Sequence, residues 1–196
     1  MTQRVQSKRV GRSARPAIKP MRQGDLDGLC GVYSVVNAMR ALCAEVDADT
    51  ASDMFDILIQ ALPKAGAEPA VVVAGGVGRR QLAHLIKVAV RYVFDEHDIR
   101  LTVRRLPKRL RRAVGLQVLW RTLATAISPS CVAVLGLGGR TSHWTVAVRV
   151  TSQQIRLLDS SNMGVLRRRK CTAGKAASRY EISPVHVFVI TRHEAG

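Results

Sequence analysis

A thiol, an imidazole, a carboxylate and a carboxamide hold the chemistry this sequence offers. Cys30 lies in "QGDLDGLCGVYSVVNAMR", residues 23–40, flanked by Gly28 and Gly31. A thiol attacks only as thiolate, and the unpaired N–H groups and dipole of a helix N-terminus favour that charge. From Leu29 the apolar positions Val32, Val35, Val36, Met39, Leu42 and Cys43 recur at three- and four-residue steps. This is the stripe of a helix with Cys30 in its first turn. The two glycines are expected to leave the backbone open around the sulfur for a substrate carbonyl. The Cys30 amide is then one oxyanion donor and the Gln23 side chain a second.

A nucleophilic cysteine needs a base. Of the five histidines, His84 falls in a helical run, His97 in a charged turn, His186 in the last strand and His193 near the C-terminus. His143 follows the glycine-rich "LGLGGRTS" and opens "HWTVAVRV". Period-two alternation puts Trp144, Val146, Val148 and Val150 on the core-facing side. It puts His143, Thr145 and Ala147 on the other, pointing away from the bulk core at a strand end where a cleft can lie. An imidazole base also needs an acceptor to fix its tautomer. The next strand, "QIRLLDSSN", offers Asp159 and Asn162. A hairpin about "TSQQ" with equal arms brings Asp159 level with His143.

The elements that must hold these groups follow from pattern. Asp49 or Thr50 caps a second helix carrying Met54, Phe55, Leu58, Ile59 and Leu62, which stops before Pro63. A third helix begins after "AGGVG", with Leu82, Leu85, Ile86, Val88 and Ala89 buried; "AVVVAGGVGRR" lacks a phosphate-loop pattern and reads as its turn and start. "DIRLTVRRL" is a strand, and an Arg-rich helix after Pro107 carries Val114, Leu116, Leu119, Trp120 and Leu123. "CVAVLGL", "HWTVAVRV", "QIRLLDS" and "VHVFVI" are short β-branched runs of an antiparallel sheet. Helices first and strands later make an α+β domain of segregated layers.

A chain of 196 residues that is 47% hydrophobic supports one core, built from Val, Leu, Ile and Ala because aromatics are only 4%. Residues 1–22 hold seven basic residues and no acid, the pattern of a mobile basic arm before a single domain over 23–196. The net charge of +17 favours anionic partners: nucleic acid through the arm and the clusters "RRLPKRLRRA" and "RRRK", or acidic protein surfaces. Cys30, Cys43, Cys131 and Cys171 follow no zinc spacing and no secretory segment precedes them, which fits a reduced, cytoplasmic setting. No apolar run reaches the ~18 residues that cross a bilayer.

The order Gln23, "LCG" at a helix start, "HWTVAV" and "LLDSS" resembles the papain-like cysteine peptidase superfamily, in particular the compact C39-like peptidases. The similarity runs in order from about Met21 to Ile190. It implies a papain-like fold, N-terminal helices packed on a C-terminal antiparallel sheet. It also implies Cys30 as nucleophile, His143 as general base and acid, Asp159 as orienter and Gln23 as oxyanion donor. The function expected is a thiol hydrolase that cleaves a peptide or isopeptide bond in a protein or peptide substrate of acidic character, with no metal or organic cofactor. Two alternatives remain open on the residues alone. One is an acyltransferase of transglutaminase-like type on the same scaffold; the other is a basic module that binds nucleic acid or a protein partner through an inactive site.

Overall fold

The structure is a computed structural model that describes residues 18–24, 27–111, 115–139, 142–173 and 179–193. It is α+β: six helices and an open sheet of seven strands. The helices are α1 (Cys30–Leu42), α2 (Ala48–Ala61), α3 (Pro69–Gly75), α4 (Arg79–His97), α5 (Lys108–Arg111) and α6 (Leu116–Ala126). The strands are β1 (Leu101–Arg105), β2 (Cys131–Gly139), β3 (His143–Val150), β4 (Gln154–Leu158), β5 (Val165–Arg167), β6 (Cys171–Thr172) and β7 (Tyr180–Arg192).

The sheet runs β1-β7-β2-β3-β4-β5, antiparallel throughout, with the short β6 beside β7 in parallel. Its rims are β1, which exposes Arg104 and Arg105, and β5, which exposes Val165 and Arg167. Alternation along each strand feeds two cores. Val132 and Val134 of β2, Trp144 and Val146 of β3 and Phe188 and Ile190 of β7 meet α1, α2 and α4 on one face. Ala133, Leu135, Ala147, Ile155, Leu157, Val187 and Val189 meet Leu119, Trp120 and Leu123 of α6 on the other. The layers are thus less segregated than the chain order suggests. β3 is apolar on both sides because helices cover both, so the face bearing His143 and Thr145 is buried, not turned out to solvent.

Several elements differ from the sequence pattern for local reasons. The cap of α2 is Asp47, whose carboxylate accepts from the Thr50 N–H at 2.9 Å, two residues ahead of the first anticipated cap. The Arg-rich helix after Pro107 is two, α5 and α6, with Gly115 as the N-cap of the second; Val114 lies outside the described residues. α3 arises from "PAVVVAG", which reads as a turn by pattern: Pro69 fits the first turn, where its missing N–H costs nothing. β5 and β6 flank the basic cluster "RRRK" in segments that the sequence pattern assigns to no strand. Against β7, Leu135 pairs with Val187 but Leu137 with Ile182, so the β7 residues between leave the ladder as a bulge. Pro184, with no N–H to give, belongs to that bulge.

Of the basic segment 1–22, residues 1–17 lie outside those described. Residues 18–22 lie along α1. Asn37 exchanges two hydrogen bonds with the Met21 backbone, at 2.8 and 3.0 Å, and Arg40 donates to the Lys19 carbonyl at 2.7 Å. Ile18 and Met21 pack on the first core, so the domain begins before residue 23.

Candidate active site

Cys30 is the first residue of α1, in the turn whose N–H groups have no intrahelical acceptor. The chain enters the helix through Asp27. Its Oδ1 accepts from the Leu29 N–H at 3.0 Å and its Oδ2 from the Gly24 N–H at 2.7 Å, an Asx turn that fixes the loop before the thiol. Asp27 is absent from the residues expected at the site, although an Asp three residues before the helix start, followed by Gly, is the signal for such a turn.

His143 opens β3, and its Nε2–H donates to Asp159 Oδ2 at 2.7 Å with both side chains buried. The register differs from the equal-armed hairpin. Val146 pairs with Leu158, which carries Asp159 to the level of Thr145, two residues along β3 from His143. Two residues is one repeat of the pleat, so the same face is kept and a diagonal contact joins the pair. The shift comes from a bulge between Ala147 and Arg149. Asp159 follows the last residue of β4, and its Oδ1 accepts from the N–H groups of Ser161 and Met163 at 2.8 and 2.9 Å. The buried Thr145 hydroxyl lies beside the same carboxylate without completing a hydrogen bond of ordinary geometry.

Burial is the largest influence on Asp159 and raises its pKa. The His143 and Thr145 side chains, the imidazolium charge and the Met163 N–H outweigh it, and the carboxyl is held below the usual value. For His143, burial is again the largest influence and favours the neutral ring. The hydrogen bond to Asp159, the Cys30 side chain beside the ring and the attraction of both overcome it, and the imidazole is pushed up to about 9. Nε2 is engaged by Asp159, so Nδ1 is the nitrogen left for the thiol, which lies near the ring without completing a hydrogen bond of ordinary geometry. Three groups from distant parts of the chain are thus brought together: sulfur, imidazole, carboxylate. Cys43 and Cys171 are pushed up to about 11, chiefly by burial, and stay as thiols at neutral pH.

Gln23 sits beside this line in another way. Its Nε2 donates to the Asp27 carbonyl at 3.1 Å, its Oε1 accepts from the Ser160 hydroxyl at 2.9 Å, and its N–H reaches the Ser160 carbonyl at 3.3 Å. The carboxamide thus ties the loop before Cys30 to the residue after Asp159, with one Nε2 hydrogen left over. Ser160 gave no signal in the sequence beyond its place next to Asp159.

The glycines around the thiol have a different use from the open approach expected of them. A Cβ on Gly31 would fall 2.1 Å from Val77 Cγ2, and one on Gly28 would fall 2.8 Å from the Gly76 nitrogen. Both make room for a strap formed by α3 and the residues up to Val77. The Gly28 N–H donates to the Val73 carbonyl at 2.6 Å, and the Trp144 indole N–H donates to the Val77 carbonyl at 2.9 Å. Trp144, next to His143, also takes the edge of the His186 ring at 5.6 Å. Under this strap Cys30 is 8% and His143 7% exposed.

Among the described residues there is no group of three or more His, Cys, Asp or Glu placed to hold a metal ion, all four cysteines are free, and no helix is long and apolar enough to cross a membrane. No protein-family model, curated protein or solved structure matches the chain.

Proposed function

We propose that this chain is a papain-like thiol hydrolase that cleaves a peptide or isopeptide bond. The observation that supports this reading most is the short Nε2–Oδ2 bond of 2.7 Å between buried His143 and Asp159, on a ring that the Cys30 side chain lies near enough to influence. A buried imidazole paired in this way is set up to take a proton from sulfur at Nδ1 and to hold it.

Cys30 Sγ attacks the carbonyl carbon, and the oxyanion is met by the Cys30 N–H and the free hydrogen of Gln23 Nε2. The tetrahedral intermediate collapses as His143 Nδ1 gives its proton to the departing amine, which leaves a thioester. His143 then takes a proton from water, the hydroxide attacks the thioester carbonyl, and the acid departs as the thiol is restored. Asp159 keeps the ring oriented through both halves. The strap over Cys30 must lift for a substrate to enter. A helix-borne thiol and a strand-borne imidazole, with helices packed on an antiparallel sheet, support the papain-like resemblance.

The direct test couples the two groups. Mass spectrometry of the Cys30 peptide after iodoacetamide treatment at pH 7 should show at least tenfold slower labelling in His143→Ala than in the wild type. Equal rates would overturn the reading. A fluorogenic peptide library should be cleaved by the wild type and not by Cys30→Ala, with the two proteins melting alike.

A further inference from the structure

The hairpin end of the sheet, remote from the thiol, gathers arginines with no acid to answer them. Ile155 and Leu166 stand opposite each other in β4 and β5, both buried in the second core, so alternation turns Arg156 and Arg167 to the other face, where both are exposed. Arg149 is directly opposite Arg156 and also exposed. Like charges in opposed cross-strand positions destabilise a sheet unless a counter-charge covers them. None of the three forms an ion pair among the described residues.

Around the rim, a cavity of about 200 Å³ opens between α6, the β3–β4 turn and the turn at Arg168, with Arg121 and Arg168 and the hydroxyls of Thr151 and Ser152 in its lining. Its walls are fixed: the Trp120 indole donates to the Thr151 carbonyl at 2.7 Å, and the Arg168 guanidinium lies over that indole at 5.8 Å.

We infer that this end of the molecule docks the phosphate backbone of double-stranded nucleic acid over Arg149, Arg156 and Arg167, on the sheet face opposite the Arg121–Arg168 cavity. Guanidinium forks match phosphate oxygens two at a time and hold a charge that no pH in the working range removes. An acidic protein partner would need aromatic anchors at the centre of its footprint, a part that the exposed Val118 and Val165 fill poorly. The aromatic residues of β3, β4, β5 and α6 are Trp120 and Trp144, and both are buried. That absence also disfavours single strands, which stack their bases on exposed rings. The region fits in sign: residues 101–193 contain seventeen Lys and Arg against two acids, and one of those acids, Asp159, is buried against His143. Six residues of β3, roughly 20 Å, separate Arg149 from His143, so the surface is independent of the thiol chemistry.

The test is fluorescence anisotropy with the full chain and a labelled duplex of mixed sequence about 20 base pairs long. Each phosphate contact adds about 0.9 to the slope of log affinity against log salt. The variant Arg149→Gln/Arg156→Gln/Arg167→Gln should bind at least tenfold more weakly at about 100 mM salt and lose two to three of that slope, roughly one per contact removed. Arg121→Gln, on the opposite face, and Cys30→Ala should bind much as the wild type does. Thermal melts of the triple variant should not fall, because the substituted side chains are exposed and the repulsion of Arg149 and Arg156 is relieved. The inference fails if the triple variant binds like the wild type, or if Arg121→Gln weakens binding as much as the triple variant does. It fails equally if polyglutamate of matched charge displaces the duplex as well as unlabelled duplex does, or if a single strand binds more tightly than the duplex.

Discussion

The two carboxylate oxygens of Asp159 act on different partners. Oδ2 holds the imidazole, and Oδ1 holds the N–H groups of Ser161 and Met163. Asp159→Ala strands all three donors in the interior, and breaking a buried charged pair costs about 3 kcal/mol or more. Denaturant titration should show that loss. Asp159→Asn keeps the shape without the charge, so it should fold better than the alanine variant yet remain at least tenfold slower in Cys30 alkylation. The pH dependence follows from the direction of the shifts. His143 binds its proton more tightly folded, at about 9, than unfolded, near 6.5, so its contribution to stability is whole below 6.5 and disappears as the pH rises through about 9. Asp159, held below its ordinary value of 3.8, contributes above that value and loses its contribution as the pH falls through the lower folded one. Urea midpoints measured between pH 6 and 10 should therefore fall on the alkaline side in the wild type and stay flatter in His143→Gln. Cys30, His143 and Asp159 were legible because each residue type stands at an informative place: a helix start, a strand start, a strand end. Ser160 was not, because its bonds to Gln23 are made only after the chain has closed on itself. Asp27 carried a local signal, the spacing of an Asx turn before the helix, but that signal marks a turn and not a reacting group. Gln23 was visible as a residue type, but its long-range partner Ser160 was hidden.

The strap is the element on which access depends. It is a seven-residue helix between Gly66 and Gly76, and Gly76 has φ 76° and ψ −177°, a conformation that side chains disfavour. It exposes Val71 and Val73 while resting on the thiol loop by the Gly28–Val73 and Trp144–Val77 hydrogen bonds. Trp144→Phe removes the second bond and part of the indole's packing over Gly136. It should speed Cys30 alkylation several-fold at pH 7, read by the same peptide mass spectrometry, at a cost in stability of about 1 kcal/mol. Gly31→Ala pushes a methyl into Val77 and should destabilise by about 1–3 kcal/mol, seen as a lower thermal midpoint. The four central strands and the three long helices were readable from periodicity. The strap escaped because its valines do not alternate between core and solvent at a helical step: Val72 alone is buried, and a run of β-branched residues speaks for a strand. The hairpin register escaped because one bulged residue changes every pairing beyond it, and nothing in "HWTVAVRV" marks the bulge.

At the scale of the whole molecule, charge follows architecture. Residues 23–100, which supply the four helices on one side, hold eleven acids against seven Lys and Arg; the later half is overwhelmingly basic. The Arg192 fork bridges the two, with both nitrogens on Glu45 at 3.0 and 3.1 Å. The total charge was plain from composition, but its division between a helical layer and a sheet was not, because that needs the strand order. The strand order has a further outcome at the rims. Among the described residues β1 and β5 are the open borders of the sheet, and each bears arginines. Two copies that approach border to border meet the same sign of charge, so lateral growth into fibrils is held off by repulsion, not by geometry. That protection weakens as dissolved ions shield it: turbidity during slow heating should develop at lower temperature in molar sodium chloride than in dilute buffer.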